Sequence, residues 1–140
     1  MSVANSPVPA TGLSAFTGSN AQADGTIFSV ASRGPAAFNS SEYVNAKWPG
    51  VRLFINLTVV NGGSLIVKIQ NFDPASQTWV DIPLATTASL SAVAVTVLTI
   101  HPGDFDSTTD IPTPLGERWR VVATTATAAV TFGVGGTYLA

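Results

Sequence analysis

The sequence predicts an all-β protein: an antiparallel, jelly-roll-like β-sandwich of about seven or eight strands with an extended N-terminal arm. Three observations support this prediction. Short runs rich in β-branched residues recur along the chain, turn residues separate these runs, and no stretch has a helical period of useful length. Because 140 residues suffice for one domain with its own core, we assign residues 1–25 to the arm and residues 26–140 to a single β-sandwich domain.

The arm has isolated apolar side chains among small and polar residues, and it has no readable period. Terminal segments of this kind are commonly frayed, but they can also become ordered against a partner. Ordering the backbone costs about 1–2 kcal/mol per residue, so an ordered arm needs contacts outside its own domain. We predict an arm that orders against a partner, and we assign partner contacts to Val8, Leu13 and Phe16.

The first strand of the domain covers residues 26–31, and a Gly-Pro pair at positions 34–35 ends it. The following stretch, residues 36–50, predicts at most one short strand. Its aromatic side chains have two open interpretations, since they can cap the sandwich core or contact a partner. We assign these aromatic residues to partner binding: Phe38, Tyr43 and Trp48.

The clearest unit is a three-stranded meander between residues 51 and 82. Its first strand alternates between leucine or isoleucine on one face and Arg52, Phe54 and Asn56 on the other. An Asn-Gly-Gly turn follows, whose residues tolerate a positive φ, so the chain returns as a hairpin. An Asp-Pro turn at positions 73–74 then leads into the third strand.

Three further strands complete the predicted domain. In the first of them Val93, Val95 and Val97 share one side, and a long loop separates it from the second. In the last strand, several glycines predict a bulge or a close approach of another backbone. The predicted strands cover residues 92–100, 117–125 and 128–139.

Composition limits the possible partners. The formal net charge is −2 and only six Lys and Arg residues are scattered along the chain, which argues against binding nucleic acid. No run of about 18 apolar residues occurs, and the N-terminus lacks the basic and apolar regions of a signal peptide, so we expect no membrane contact and synthesis in the cytoplasm. Cysteine is absent, which excludes disulfides, thiolate metal sites and cysteine nucleophiles.

The sequence has little that resembles a catalytic site. Its single histidine, His101, ends a strand next to a Pro-Gly pair, and no serine lies in a nucleophile elbow. No glycine loop has the lysine that would hold a phosphate. Asp104, Asp106 and Asp110 could supply oxygen ligands to a cation, but acids in such loops more often cap turns. We expect no enzymatic activity, no cofactor and no resident metal.

The low charge is a feature of the surface. Only 10% of residues are charged, against about 25% in typical soluble domains, so the exposed faces must be mainly small and neutral. Such a surface suits packing against copies of itself or against a larger body, although hydroxyl groups can also keep a monomer soluble. Glycan binding is an alternative, with Trp48 as the loop-exposed aromatic that would stack on a sugar.

The strand sequences of about residues 50–140 resemble those of a known family. The matching runs include Val-Leu-Thr-Ile-His-Pro-Gly at 97–103, Leu-Gly-Glu-Arg-Trp-Arg-Val at 115–121 and Phe-Gly-Val-Gly-Gly at 132–136, together with the strands at 50–60, 65–74 and 78–83. They resemble small virion proteins that tailed bacteriophages encode near their capsid genes. The resemblance contains no catalytic signature.

This resemblance implies a structural virion protein that decorates or cements the outside of a bacteriophage capsid. Such a protein stabilises the shell by bridging subunits of the major capsid protein, often as a homotrimer or homodimer. The implied partners are therefore the major capsid protein and copies of the chain itself, and the implied location is the capsid surface of the virion. A phage tail or head-completion protein and a glycan-binding β-sandwich module are the alternatives.

Overall fold

The computed structural model describes residues 25–103 and 110–140. These residues form ten strands and no helix. The strands are β1 (Thr26–Arg33), β2 (Ala37–Asn39), β3 (Tyr43–Val44), β4 (Gly50–Val59), β5 (Ser64–Asp73), β6 (Thr78–Thr86), β7 (Ala94–Ile100), β8 (Asp110–Ile111), β9 (Arg118–Ala126) and β10 (Val130–Leu139). The predicted arm residues Val8, Leu13 and Phe16 lie outside the described residues.

The strands form two sheets that pack face to face. Sheet A has the order β1-β10-β4-β7-β8, and sheet B has the order β2-β9-β5-β6, with β3 also paired to β9. Strand pairing matches the chain's start to its end and then moves inward: β1 pairs with β10, β2 and β3 with β9, β4 with β7, and β5 with β6. This is the connectivity of a jelly roll, in which one long antiparallel ribbon is wound into two sheets. The predicted all-β, jelly-roll-like sandwich is confirmed.

The strand count differs from the prediction because three strands are very short. Residues 36–50 contain two short strands, β2 and β3, which both pair with β9, where the sequence predicted at most one. Strand β8 has two residues, lies in the predicted long loop and pairs with β7 in parallel. Segments this short are stabilised by distant backbone partners, so they leave no period in the sequence.

The predicted turns are confirmed at both hairpins of the meander. Asn61 and Gly62 have φ values of 49° and 81°, the left-handed pair that a tight hairpin requires. At the next turn, Asp73 accepts hydrogen bonds from the Ala75 amide at 2.9 Å and the Ser76 hydroxyl at 2.7 Å. The Asp73 side chain therefore caps the turn as its residue type predicts.

The core lies between the two sheets and consists of the inward-facing rows of the long strands. Alternate residues of β4 and β5 are fully or almost fully buried, as their period predicts. At one end, an aromatic cluster closes the core. Its members are Tyr43, Trp48, Trp119 and Tyr138.

Gly133 lies where β1 bulges across β10. The pairing of β1 with β10 shifts register between Phe28 and Ala31, and this bulge brings the backbone of Val30 over the glycine. A Cβ atom on Gly133 would lie 2.6 Å from Val30 Cγ2 and 3.2 Å from the Val30 amide nitrogen. The close backbone approach that the glycines of the last strand predict is confirmed at this position.

We expect Gly133→Ala to lower the free energy of unfolding by about 1–3 kcal/mol, because the bulge has no room for the added methyl group. Gly34→Ala is the matched control, since a Cβ atom on Gly34 would meet nothing within 4 Å. Denaturant unfolding of both variants measures the difference. Equal stability of the two variants would contradict the close approach.

Candidate interaction surfaces

The outer face of sheet A is an apolar surface, which we call the valine face. It comprises the outward-pointing side chains of β1, β4 and β7 around two glycines of β10. Its apolar side chains are substantially exposed: Val30 by 59%, Phe54 by 41%, Val95 by 63% and Val97 by 48%. The glycines are Gly133 and Gly135.

Strand register makes the valine face continuous. Phe54 is paired with Gly135 on one side and with Val97 on the other, so one row crosses three strands. Val95 lies two residues from Val97 on the same side of β7. Gly135 adds no side chain beside Phe54. In the next row the exposed Asn56 lies between Val95 and Gly133, and Val30 of β1 covers Gly133. The result is a mainly apolar surface on one side of the sandwich, interrupted by Asn56.

Charged side chains are scarce on sheet A. Its two described cations are bound to the protein itself: Arg33 donates to the carbonyl oxygens of Ser29 (2.9 Å) and Phe132 (3.0 Å), and Arg52 donates through Nε to the Thr99 hydroxyl (3.0 Å). Every carboxylate whose side chain the structure describes lies in or next to a strand of sheet B. These carboxylates belong to Glu42, Asp73, Asp81 and Glu117.

The outer face of sheet B is different, because its charges are paired. Arg118 lies over the Phe72 ring, 3.9 Å from its centroid, and forms an ion pair with Glu42. The hydrogen bond from Arg118 holds the pKa of Glu42 below its usual range. Lys68 Nζ lies 3.1 Å from the Asp81 carboxylate.

Asp81 has a second partner in this network. Gln70 donates to it at 2.8 Å, and this hydrogen bond, followed by that from Lys68, lowers the pKa of Asp81. Arg120 in turn donates through Nε to Gln70 Oε1 at 2.8 Å. Part of the outer face of sheet B is therefore a connected network of polar and charged side chains, which the valine face of sheet A lacks.

The two tryptophans nearest the surface are not open platforms for a sugar ring. Arg120 covers one face of Trp79 at 4.5 Å from its centroid, and the Phe72 ring meets Trp79 at 65°. The expectation that Trp48 is an exposed loop aromatic is wrong. Trp48 is half-buried, and its ring stacks on Tyr138 with centroids 6.0 Å apart. Asn45 fixes the local backbone, because its side chain bonds both the amide and the carbonyl of Trp48.

The other described residues predicted to contact a partner also pack against the core. Tyr43 is only 5% exposed, and its ring lies 4.9 Å from that of Trp119. Phe38 is half-buried against the core, opposite Ala123 of β9. The structure thus brings Tyr43 and Trp48 into one cluster and places Phe38 farther along β9. Their assignment to partner binding stays a prediction.

His101 ends β7, as predicted, and its ring is buried. The ring accepts a hydrogen bond at Nδ1 from the Gly103 amide (2.8 Å), and Nε2 lies 2.9 Å from the Ala140 carbonyl oxygen. Asp104 and Asp106 lie outside the described residues, and Asp110 belongs to β8. The residues that the structure describes contain no group of three histidine or acidic side chains able to hold a metal ion. They also contain no helix long and apolar enough to cross a membrane.

The sequence contained part of the signal for the valine face. The alternation placed Phe54 on the face of its strand opposite the leucine and isoleucine row, and it placed Val95 and Val97 on one side of theirs. It did not show which side of the second strand is exposed. The pairing of β1 with β10, which brings Val30 and Gly133 together, joins positions about 100 residues apart and leaves no local pattern.

No protein-family model matches this chain, and no curated protein matches it significantly. Among solved structures it is similar to infectious bursal disease virus Gt strain, with 11% identity and a TM-score of 0.43. That match covers 79% of this chain, which spans only 29% of the viral chain. A family 16 carbohydrate-binding module matches with 14% identity, a TM-score of 0.40 and coverage of 79% and 74% of the two chains.

Naturally occurring empty particles of cowpea mosaic virus match with 9% identity and a TM-score of 0.41, over 81% of this chain and 83% of the other. Similarities at these values do not distinguish a virus particle subunit from a carbohydrate-binding module. They add no argument about what this chain does.

Proposed function

We propose that the chain is a structural virion protein that binds the outside of a bacteriophage capsid and stabilises it by bridging major capsid protein subunits. The observation that supports this most strongly is the valine face. It is mainly apolar and has no described carboxylate. Large exposed apolar patches mark interaction sites, and the centres of protein interfaces are depleted in charged residues. The sequence resemblance of residues 50–140 to phage virion proteins supports the same proposal.

A protein that decorates a shell has to bind the shell and does not have to catalyse a reaction. A protein that binds the assembled shell and not its separated subunits stabilises the shell by mass action. Many copies on one particle, joined to each other as a homotrimer or homodimer, add avidity without any single strong contact. In this proposal the protein is not an enzyme, is located on the capsid surface, and uses the arm residues Val8, Leu13 and Phe16 for further contacts.

The test is co-sedimentation with empty capsids of the phage that encodes the chain. We expect the native protein to pellet with capsids in a saturable manner. The double variant Val95→Asp/Val97→Asp should bind at least tenfold more weakly, because a covered carboxylate without a partner strongly disfavours the interface. Both side chains are exposed, so the variant should fold normally.

Val44→Asp is the matched control, since Val44 is also an exposed valine but lies in sheet B. We expect it to bind capsids like the native chain. Normal capsid binding by the double variant would show that the valine face is not the interface. A native chain that remains in the supernatant at every capsid concentration, or that assembles into rings bound only to tails or to the head vertex, would overturn the decoration proposal.

A further inference from the structure

Strand β6 contains a large bulge at the open edge of sheet B. Gln70 pairs with Asp81 and Lys68 pairs with Thr86, so four residues of β6 lie opposite the single residue Ile69. The bulge is fixed at its end by the Thr87 amide, which donates to the Val67 carbonyl oxygen at 2.9 Å. Among the described residues, no strand pairs with the other side of β6.

The bulge turns two of its four residues inward and two outward. Ile82 and Ala85 are buried in the core, so they explain why the bulge stays attached to the sheet. Pro83 and Leu84 point away from the core, and Leu84 is 78% exposed, the highest value among the large hydrophobic residues of the described chain. Leu84 therefore forms an apolar knob at the sheet edge.

Leu84 is also strained. Its φ is 69°, in the left-handed region that disfavours L-residues with a large side chain. Three other described non-glycine residues have positive φ, namely Asn61, Gln77 and Thr127, but each of these lies in a turn between strands. Leu84 alone among them lies within a strand. Strain and apolar exposure both cost stability, and the burial of Ile82 and Ala85 holds the bulge in place despite this cost.

A groove lies next to the knob on the outer face of sheet B. Its volume is about 490 Å³, and Leu84 forms part of its wall. Ile66 and Pro83 supply apolar lining, while Lys68, Asp81 and Thr124 form polar parts of it. The chain thus presents a knob and a groove side by side, and the groove has one cation and one anion at its rim.

We infer that the β6 bulge is the contact through which two copies of this chain associate, with Leu84 of each copy seated in the groove of the other around a two-fold axis. A two-fold interface uses the same patch on both copies, so a patch that contains both a knob and a groove is self-complementary. Lys68 and Asp81 already form an ion pair within each chain at the rim, so seating a second copy there leaves neither of these two charges without a partner. The seated copy would also cover the open edge of β6.

This inference deepens the proposed function by naming the self-contact that it uses, but its test needs no capsid. We expect the purified native chain to form dimers in sedimentation equilibrium. Leu84→Asn should raise the dimer dissociation constant at least tenfold, because asparagine tolerates the left-handed backbone and only the apolar knob is lost. Val44→Asn, which removes another exposed valine of sheet B, should leave the constant unchanged.

A second measurement tests whether residue 84 of one copy lies close to residue 84 of the other copy. The chain has no cysteine, so Leu84→Cys introduces a unique thiol. Because this substitution also shortens the knob, the measurement is made at a protein concentration above the dissociation constant of the variant. We then expect a short thiol-reactive cross-linker to join two copies of this variant in clearly higher yield than copies of the matched variant Val44→Cys.

Three results would overturn the inference: a native chain that stays monomeric, a Leu84→Asn variant that dimerises like the native chain, or equal cross-linking at positions 84 and 44. None of them would bear on the valine face. Conversely, a chain that dimerises through Leu84 but never binds capsids would support this inference and overturn the proposed function.

Discussion

Raising the pH from 10 to 12 is expected to lower the free energy of unfolding by about 4 kcal/mol, through the only two tyrosines of the chain. Burial raises the pKa of Tyr43 to about 12 and raises the pKa of Tyr138 further above its usual range. An exposed tyrosine has a pKa near 10. Between pH 10 and the raised pKa values, the unfolded chain loses its phenol protons while the folded chain keeps them. Each unit of pH in this range therefore lowers the free energy of unfolding.

The sign follows from proton counts. The stabilisation by each tyrosine is complete below pH 10, and it is lost as the pH rises through the folded pKa, by about 1.4 kcal/mol per unit and per residue. Denaturant unfolding at several alkaline pH values measures the slope. The variant Tyr43→Phe/Tyr138→Phe should have a much flatter dependence, and each single variant should be intermediate. Identical slopes for the native chain and the double variant would contradict the burial of both phenols.

Replacing Trp119 with alanine is expected to lower the free energy of unfolding by about 3–5 kcal/mol. Trp119 is fully buried, and its ring contacts Tyr43 and Tyr138. Its Nε1–H also donates to the Tyr138 hydroxyl at 3.1 Å, so truncation both leaves a cavity and removes a buried hydrogen bond. Chemical denaturation measures the loss.

Trp79→Ala is the matched control, because Trp79 is half-buried on the outer face of sheet B. We expect it to cost clearly less than Trp119→Ala. Equal losses of stability from the two substitutions would contradict the burial of Trp119 in an aromatic cluster that closes the core.

Local pattern was sufficient to predict the central strands. In β4 the inward row includes Leu53, Ile55 and Leu57, all buried, and the Asn-Gly turn after it fixes the hairpin by its own backbone preference. Strands β2, β3 and β8 could not be predicted in the same way. They have two or three residues each, and they exist because a distant strand, β9 or β7, offers backbone partners.

The interaction surfaces were less predictable because they depend on which apolar row is covered. Strand β7 has apolar residues on both sides: Leu98 and Ile100 are buried, while Val95 and Val97 are exposed. Only the packing of sheet B against one side of sheet A decides between these rows. The exposure of Leu84 was not predicted at all. Its backbone conformation results from the bulge in which four residues of β6 lie opposite one residue of β5.

Protection of the valine face in the native particle is the most direct test of the proposed function. Because the chain lacks cysteine, Val97→Cys introduces one thiol on the valine face and Val44→Cys introduces one on sheet B. In the free chain both thiols should react readily with a soluble maleimide. On assembled particles we expect labelling at position 97 to slow at least tenfold while labelling at position 44 changes little. Undiminished labelling at position 97 on the particle would show that the valine face remains open to solvent and that its apolar surface is not an interface.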